Sequence, residues 1–170
     1  MKKILLMGRS ECGKTSLSQA LSGSSIFYHK TQYINHHTSI IDTPGEYVEN
    51  YMISTAIALY SYEADIVGFL LSSTEKYSLY PPGISTVCNR PVIGIVTKID
   101  DPAGNPLQAQ NWLELAGCTK IFHTSSYTGE GIWQILECLR EPGDLLPWSS
   151  KEEMLRSWSV ESNKYGTIAR

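Results

Sequence analysis

Gly8-Arg9-Ser10-Glu11-Cys12-Gly13-Lys14-Thr15 decides how the rest of this chain is read. It follows the apolar run Ile4-Leu5-Leu6-Met7 and leads into Ser16-Leu17-Ser18-Gln19-Ala20-Leu21. The order is strand, glycine-bounded loop, helix. The spacing G-x-x-x-x-G-K-T is that of a P-loop, a backbone cradle for the phosphates of a nucleotide. Gly8 is expected to let the chain turn sharply as it leaves the strand, and Gly13 to leave room for close phosphate approach. Amides of the loop and of the first helical turn, Ser16 included, point at the anion, where the helix dipole also favours negative charge. Lys14 is expected to reach the β- and γ-phosphates and the Thr15 hydroxyl to ligate Mg²⁺. The bland alternative is a glycine-rich turn before an ordinary helix, which leaves the Lys-Thr pair unexplained.

A second signal is Asp42-Thr43-Pro44-Gly45, after the short apolar run Ile40-Ile41. A P-loop protein needs an acid at the tip of a neighbouring strand to hold Mg²⁺, and Asp42 suits this. At Gly45 a backbone N–H can approach the γ-phosphate with no side chain in the way. An Asp-x-Pro-Gly turn is common in loops by itself; its place downstream of the phosphate loop gives it meaning. A third signal, Thr97-Lys98-Ile99-Asp100, follows the buried-strand pattern Val92-Ile93-Gly94-Ile95-Val96. Guanine presents N1–H and a 2-amino group side by side, and one carboxylate, Asp100, can accept both. Adenine offers a lone pair at N1, which repels that carboxylate. The Lys98 stem can lie over the base. Ser125-Ser126, after the strand Lys120 to Thr124, supplies a backbone N–H, assigned to Ser126, for guanine O6.

Between these signals the chain alternates helix and strand. Leu17, Ala20 and Leu21 form one helical face, with Gly23 as its stop. A short strand is expected over Gln32 to Asn35, with a turn near His36. Ile53, Ala56, Ile57 and Tyr60 mark a helix starting near Asn50, and Ile66 to Leu71 is a continuous apolar strand. Ser72 to Gly83 reads as a loop without chemistry. Ala109, Trp112, Leu113 and Ala116 form another helical face, and Ile132, Ile135, Leu136 and Leu139 the closing helix. The fold is expected to be α/β: a mainly parallel sheet, helices on both faces, and the site at the strand C-termini. Residues 1–143 are expected to form the phosphate-loop domain. Residues 144–170 form an extension with one short helix, opened by the capping box Ser150-Lys151-Glu152-Glu153, and a mobile end from Ser159 on. The stripe Met154, Leu155, Trp158 packs back on the domain or meets a partner.

Composition narrows the partners. The net charge of −3 gives no basic footprint for nucleic acid. No apolar run approaches the about 20 residues a membrane span needs. The basic-then-apolar start is ended too early by Gly8 to act as a signal peptide. Cys12, Cys88, Cys118 and Cys138 are far apart, so they read as reduced thiols of a cytoplasmic protein.

With the three motifs placed, the chain resembles the small GTPases of the P-loop class, with a Ras-like G domain, over about residues 1 to 140. It resembles most the EutP/PduV family of ethanolamine and propanediol utilisation, and its PduV branch more than its EutP branch. The carriers are Cys12-Gly13-Lys14-Thr15-Ser16-Leu17, Lys30-Thr31-Gln32, Ile41-Asp42-Thr43-Pro44-Gly45-Glu46-Tyr47, Glu63-Ala64-Asp65-Ile66, Asn89-Arg90-Pro91-Val92-Ile93-Gly94 and Val96-Thr97-Lys98. The resemblance implies binding of GTP and GDP with Mg²⁺. It also implies a bacterial metabolic microcompartment as the place of action, with a shell or encapsulated protein as partner. Thr31 is implied to be the switch threonine that closes on Mg²⁺. The chain departs from the pattern at four points. Glu46 stands where a water-orienting Gln is usual, so hydrolysis is expected to be slow. Thr97 replaces the usual Asn, which is expected to weaken the scaffold around the loop. Tyr127 stands where Lys is usual, and the span from Thr15 to Asp42 is short for a full switch region. Two rival readings remain: a nucleotide-bound adaptor that scarcely hydrolyses, and a kinase that phosphorylates a small carboxylate.

Overall fold

The structure, a computed structural model, describes residues 1–23, 35–37, 39–43, 45 and 53–164. Six strands form one sheet: β1 (Ile4–Met7), β2 (Asn35–His37), β3 (Ile40–Asp42), β4 (Ile66–Ser72), β5 (Val92–Thr97) and β6 (Lys120–His123). Their spatial order is β2-β3-β1-β4-β5-β6. All neighbouring pairs are parallel except β2 with β3, which pair antiparallel. The helices are α1 (Lys14–Leu21), α2 (Ile53–Tyr60), α3 (Pro106–Leu115), α4 (Ile132–Leu139) and α5 (Lys151–Lys164).

Successive strand residues point to opposite faces, so the apolar runs divide into two cores. Ile4, Leu6, Leu70, Ile93 and Ile95 pack with Leu17 and Leu21 of α1 and with Ile132, Ile135 and Leu136 of α4. Leu5, Met7, Phe69, Leu71 and Val96 pack with Ile57 of α2 and Leu113 of α3 on the other side. Helices therefore cover both faces, as the unbroken apolar strands require. Gly68 lies in β4 between Ile4 and Ile95; a Cβ there would sit 3.2 Å from the Cδ1 atom of each. The chain leaves β1 toward β3 on one side and returns to β4 on the other. The loop after β1 thus opens at the point where the winding reverses, the usual crevice for a ligand in such sheets.

One sequence-based boundary shifts. β2 covers Asn35–His37, so His36 is inside the strand and not at a turn. The register pairs Asn35 with Asp42 and His37 with Ile40. Residues 32–34 and 50–52, at the expected starts of β2 and α2, lie outside the described residues, as do Thr31, Pro44 and Glu46. α5 runs from Lys151 to Lys164.

α5 begins as its capping box requires: the Ser150 hydroxyl accepts from the Glu153 amide at 3.2 Å. The Glu153 carboxylate accepts from the Ser149 amide at 2.8 Å, one residue before the position that the motif names. The extension packs back on the domain. Met154 is buried in the α1/α4 core, with Leu146, Trp148 and Trp158 against it.

Candidate functional site

The phosphate-loop residues form a compact hook between β1 and α1. Both glycines are constrained by the protein itself, each in a different way. Gly8 does not adopt a left-handed conformation; it is needed for space. A Cβ there would sit 2.5 Å from Cys12 Sγ and 2.9 Å from the Leu70 carbonyl oxygen. A Cβ on Gly13 would meet only ordinary contacts, the nearest at 3.6 Å, but the φ of Gly13 is +96°. That is a left-handed conformation that a side chain disfavours, and it sets the first turn of α1. Lys14 is 5% exposed, and its ammonium donates to the carbonyls of Gly8 at 2.8 Å and Arg9 at 2.7 Å. The loop is thus curled around its own cation. Cys12 is fully buried beneath it, and burial pushes its thiol up, against the pull of Lys14.

The Thr15 hydroxyl, in the first turn of α1, donates to Asp42 Oδ2 at 2.9 Å. Asp42 ends β3 and is 2% exposed. Parallel pairing of β1 with β3, with Leu6 opposite Asp42, brings these two residues together. The neighbouring Thr43 hydroxyl donates to the Leu6 carbonyl at 2.8 Å and fixes the chain as it leaves β3. Gly45 then lies directly on the loop: a Cβ there would overlap the Ser10 amide nitrogen. No side chain fits at Gly45.

Among the described residues, two that are not glycine have positive φ: Glu11 at 63° and Lys98 at 55°. Such backbone is costly without glycine and persists where its surroundings impose it, often at functional sites. One lies in the phosphate loop and the other in Thr97-Lys98-Ile99-Asp100, the two segments singled out for the two ends of a nucleotide. The Thr97 hydroxyl joins them, donating to the Cys12 carbonyl at 2.5 Å. The Thr97 hydroxyl thus reaches the phosphate loop from the end of β5. Lys98 is held by the Ser73 hydroxyl, which donates to its carbonyl at 2.6 Å. Asp100 is exposed at the tip of the turn.

The Ser125-to-Glu130 loop sits beside this turn, because β6 pairs with β5 with His123 opposite Val96. It is closed by its own hydrogen bonds. The Ser125 amide donates to the Glu130 carbonyl at 3.0 Å, the Gly129 amide to the Ser125 carbonyl at 3.0 Å, and the Thr128 amide to Ser125 Oγ at 3.1 Å. Tyr127 is 63% exposed.

The segment from Ser72 to Gly83, read as a loop without chemistry, is a structural partner of the site. Glu75 pairs with the Arg9 guanidinium at 3.1 Å, and that guanidinium lies 5.5 Å from the Tyr77 ring centre. Tyr80 stacks on Phe69 with centroids 4.8 Å apart. Its hydroxyl lies 2.7 Å from the Met7 carbonyl oxygen and 3.1 Å from that of Leu70. Burial pushes its phenol well above the ordinary range. A Glu and two Tyr in a loop carry no motif. Only charge complementarity to Arg9 hints at the contact.

For a metal, the donor set is hard oxygen: one hydroxyl and one carboxylate in mutual contact. Among the described residues no group of three His, Cys, Asp or Glu side chains could hold a metal ion alone. A cation such as Mg²⁺, which prefers few protein oxygens plus phosphate and water, fits that set. A thiolate- or imidazole-bound metal does not.

Comparison with known proteins accords with this geometry. The chain is 42% identical over 133 residues to the propanediol utilization protein PduV of Citrobacter freundii, covering 78% of this chain and 89% of that protein. It is 29% identical over 143 residues to the "Probable acetate kinase EutP" of Salmonella typhimurium, covering 82% and 89%. Among solved structures it matches Era of Aquifex aeolicus bound to GDP and aluminium fluoride, with a TM-score of 0.60 and 24% identity. That match covers 88% of this chain and 61% of the Era chain, so it establishes the P-loop G-domain fold and nothing finer. A family model for ethanolamine and propanediol utilisation, PduV-EutP, matches residues 1–141. The chain belongs to the PduV–EutP family.

Proposed function

We propose that this protein binds a guanine nucleotide with Mg²⁺ and hydrolyses GTP slowly, as a switch that serves a bacterial metabolic microcompartment in the cytoplasm. The observation that carries the reading is the contact of Thr15 with Asp42 at the mouth of a loop that encloses Lys14. This juxtaposition has a purpose if a cation joins them to a triphosphate. In this reading the loop amides of residues 9–16 hold the phosphates and Lys14 exchanges its carbonyl partners for phosphate oxygens. Thr15, Asp42 and Thr31 are the protein's ligands for Mg²⁺, which when bound offsets charge that develops on the phosphates. Gly45 offers its amide to the γ-phosphate. Asp100 accepts from guanine N1–H and the 2-amino group, Lys98 lies along the base, and the Ser126 amide donates to O6. The family's description as ethanolamine and propanediol utilisation supports the microcompartment setting, with a shell or encapsulated protein as partner.

Glu46 is the reason for slow turnover. A carboxylate next to a polyanion repels it and cannot hold water as a Gln amide does. A second reading has one specific support: a relative named as a probable acetate kinase, 29% identical. In it the γ-phosphoryl group passes to a small carboxylate instead of water.

One titration series tests both. Fluorescent GTP, GDP and ATP analogues are titrated with and without Mg²⁺, and phosphate release from GTP and ATP is followed with and without acetate. Magnesium-assisted binding that favours guanine, with slow acetate-independent release, is expected. Acetate-dependent consumption of triphosphate with formation of acetyl phosphate would replace the first reading by the second. No magnesium-assisted binding of either triphosphate would end both.

A further inference from the structure

The C-terminal helix lies outside residues 1–141, where the family model matches, yet it touches the loop assigned to guanine O6. The Trp158 indole Nε1–H donates to the Ser126 carbonyl at 2.9 Å. The same ring covers Gly129, where φ is +78° and a Cβ would meet the ring at 2.9 Å. Trp148 packs against Trp158 at a tilt of 47°, with ring centres 5.3 Å apart. Trp148 and Pro147 in turn cover Gly23 at the end of α1. Met154, 1% exposed, anchors the helix in the core beneath. The tail thus spans from the helix that follows the phosphate loop to the loop that follows β6.

The position of that one hydrogen bond matters. The loop's internal bonds use the Ser125 and Gly129 amides and the Ser125 carbonyl and hydroxyl. They leave the Ser126 peptide groups to others. Among the described residues the indole is the donor to the Ser126 carbonyl, and the Ser126 amide has no acceptor. Fixing the carbonyl restrains the torsion on one side of the Ser126 Cα, and so restrains the amide on the other. A donor that must meet a ligand atom within a few tenths of an ångström gains from such support.

We propose that Trp158 is a positioning residue for purine recognition: by holding the Ser126 carbonyl it aims the Ser126 amide at the 6-position acceptor of a guanine base. The proposal rests on the base assignment given under Proposed function. By reciprocity, a base bound at that amide holds the tail helix down, and a partner that lifts the tail loosens the base.

The test uses the full chain and competition binding of three diphosphates. GDP carries every group. 6-Thio-GDP keeps N1–H and the 2-amino group but replaces O6 by a poor acceptor. IDP keeps O6 and lacks the 2-amino group. Wild type is expected to prefer GDP over 6-thio-GDP by about tenfold, the scale of one hydrogen bond. Trp158→Phe is expected to reduce that preference to about twofold and to leave the GDP-to-IDP ratio, which reports Asp100, unchanged. Trp148→Phe, which disturbs the tail without touching Ser126, keeps both ratios. An undiminished GDP-to-thio-GDP ratio in Trp158→Phe overturns the proposal. So does an equal loss for all three ligands, which marks a merely structural tail. If wild type itself makes no distinction among the three, the base assignment fails, and the proposal with it. A second measurement needs no variant: in wild type, GDP is expected to slow amide hydrogen exchange across α5, and unchanged exchange with GDP bound also overturns the proposal.

Discussion

The two ends of the candidate site are built in different ways. The phosphate end is nearly self-sufficient. Eight consecutive residues curl around Lys14, whose ammonium is held by Gly8 and Arg9 of the same loop, and one neighbouring strand adds Asp42. The base end has no such unity. Asp100 and Lys98 come from the turn after β5, Ser73 braces that turn from the loop after β4, and Ser126 comes from the loop after β6. Trp158 reaches it from the tail. A charged tail of phosphates can be met by backbone amides in one loop, because every oxygen is an acceptor. A base needs donors and acceptors in fixed relative positions, and these are recruited from separate strands.

Substitutions should separate the ends, beginning with the largest effect. Lys14→Ala is expected to lower triphosphate affinity by about 100-fold or more, the scale of removing a preorganised charge-stabilising donor. Its guanine-over-adenine ratio should be unchanged, as competition titration would read; a collapse of that ratio would mean that the two ends are one unit. Asp100→Asn is expected to lower guanine nucleotide affinity by about 100-fold, because two hydrogen bonds to a charged group are lost. It should gain affinity for xanthine nucleotides, whose 2-carbonyl accepts from the new amide. Since Asp100 is exposed, the melting temperature should scarcely move.

Thr97→Val tests a direct tie between the ends. It removes the donor to the Cys12 carbonyl at a position 3% exposed and leaves that carbonyl without it. A loss of about 1–3 kcal/mol in denaturant unfolding is expected, with guanine and adenine nucleotides weakened alike. An effect confined to guanine would show that Thr97 serves only the base. Arg9→Gln is the smallest. The Arg9 side chain is 37% exposed, and such pairs contribute about 1 kcal/mol or less, screened by salt. The unfolding midpoint should shift slightly at low ionic strength and not at high.

The same contrast explains what the sequence revealed. The phosphate loop was legible because its parts are contiguous and its glycines stand at a fixed spacing. The structure adds two constraints that the spacing does not state: Gly8 has no space for a Cβ, and Gly13 has a positive φ. β1, β4 and β5 were legible because burial on both faces demands unbroken apolar runs. The ties of Arg9 to Glu75, Ser73 to Lys98 and Ser126 to Trp158 were not. Each joins residues far apart in sequence, and none needs a periodicity or a fixed spacing. The contact of Thr97 with the Cys12 carbonyl was hidden for a related reason: it joins residues 85 positions apart. Thr31 and Glu46 fall outside the described residues, so their parts in the reading stand on the family resemblance and the chemistry of their side chains.

Tyr80 has one more implication. Its hydroxyl sits between the carbonyl oxygens of Met7 and Leu70, beside the last paired residues of β1 and β4, and can donate to one of them at a time. A side chain from the segment after β4 is thereby wedged at the root of the phosphate loop, so the position of that loop is tied to the packing of Tyr80 on Phe69.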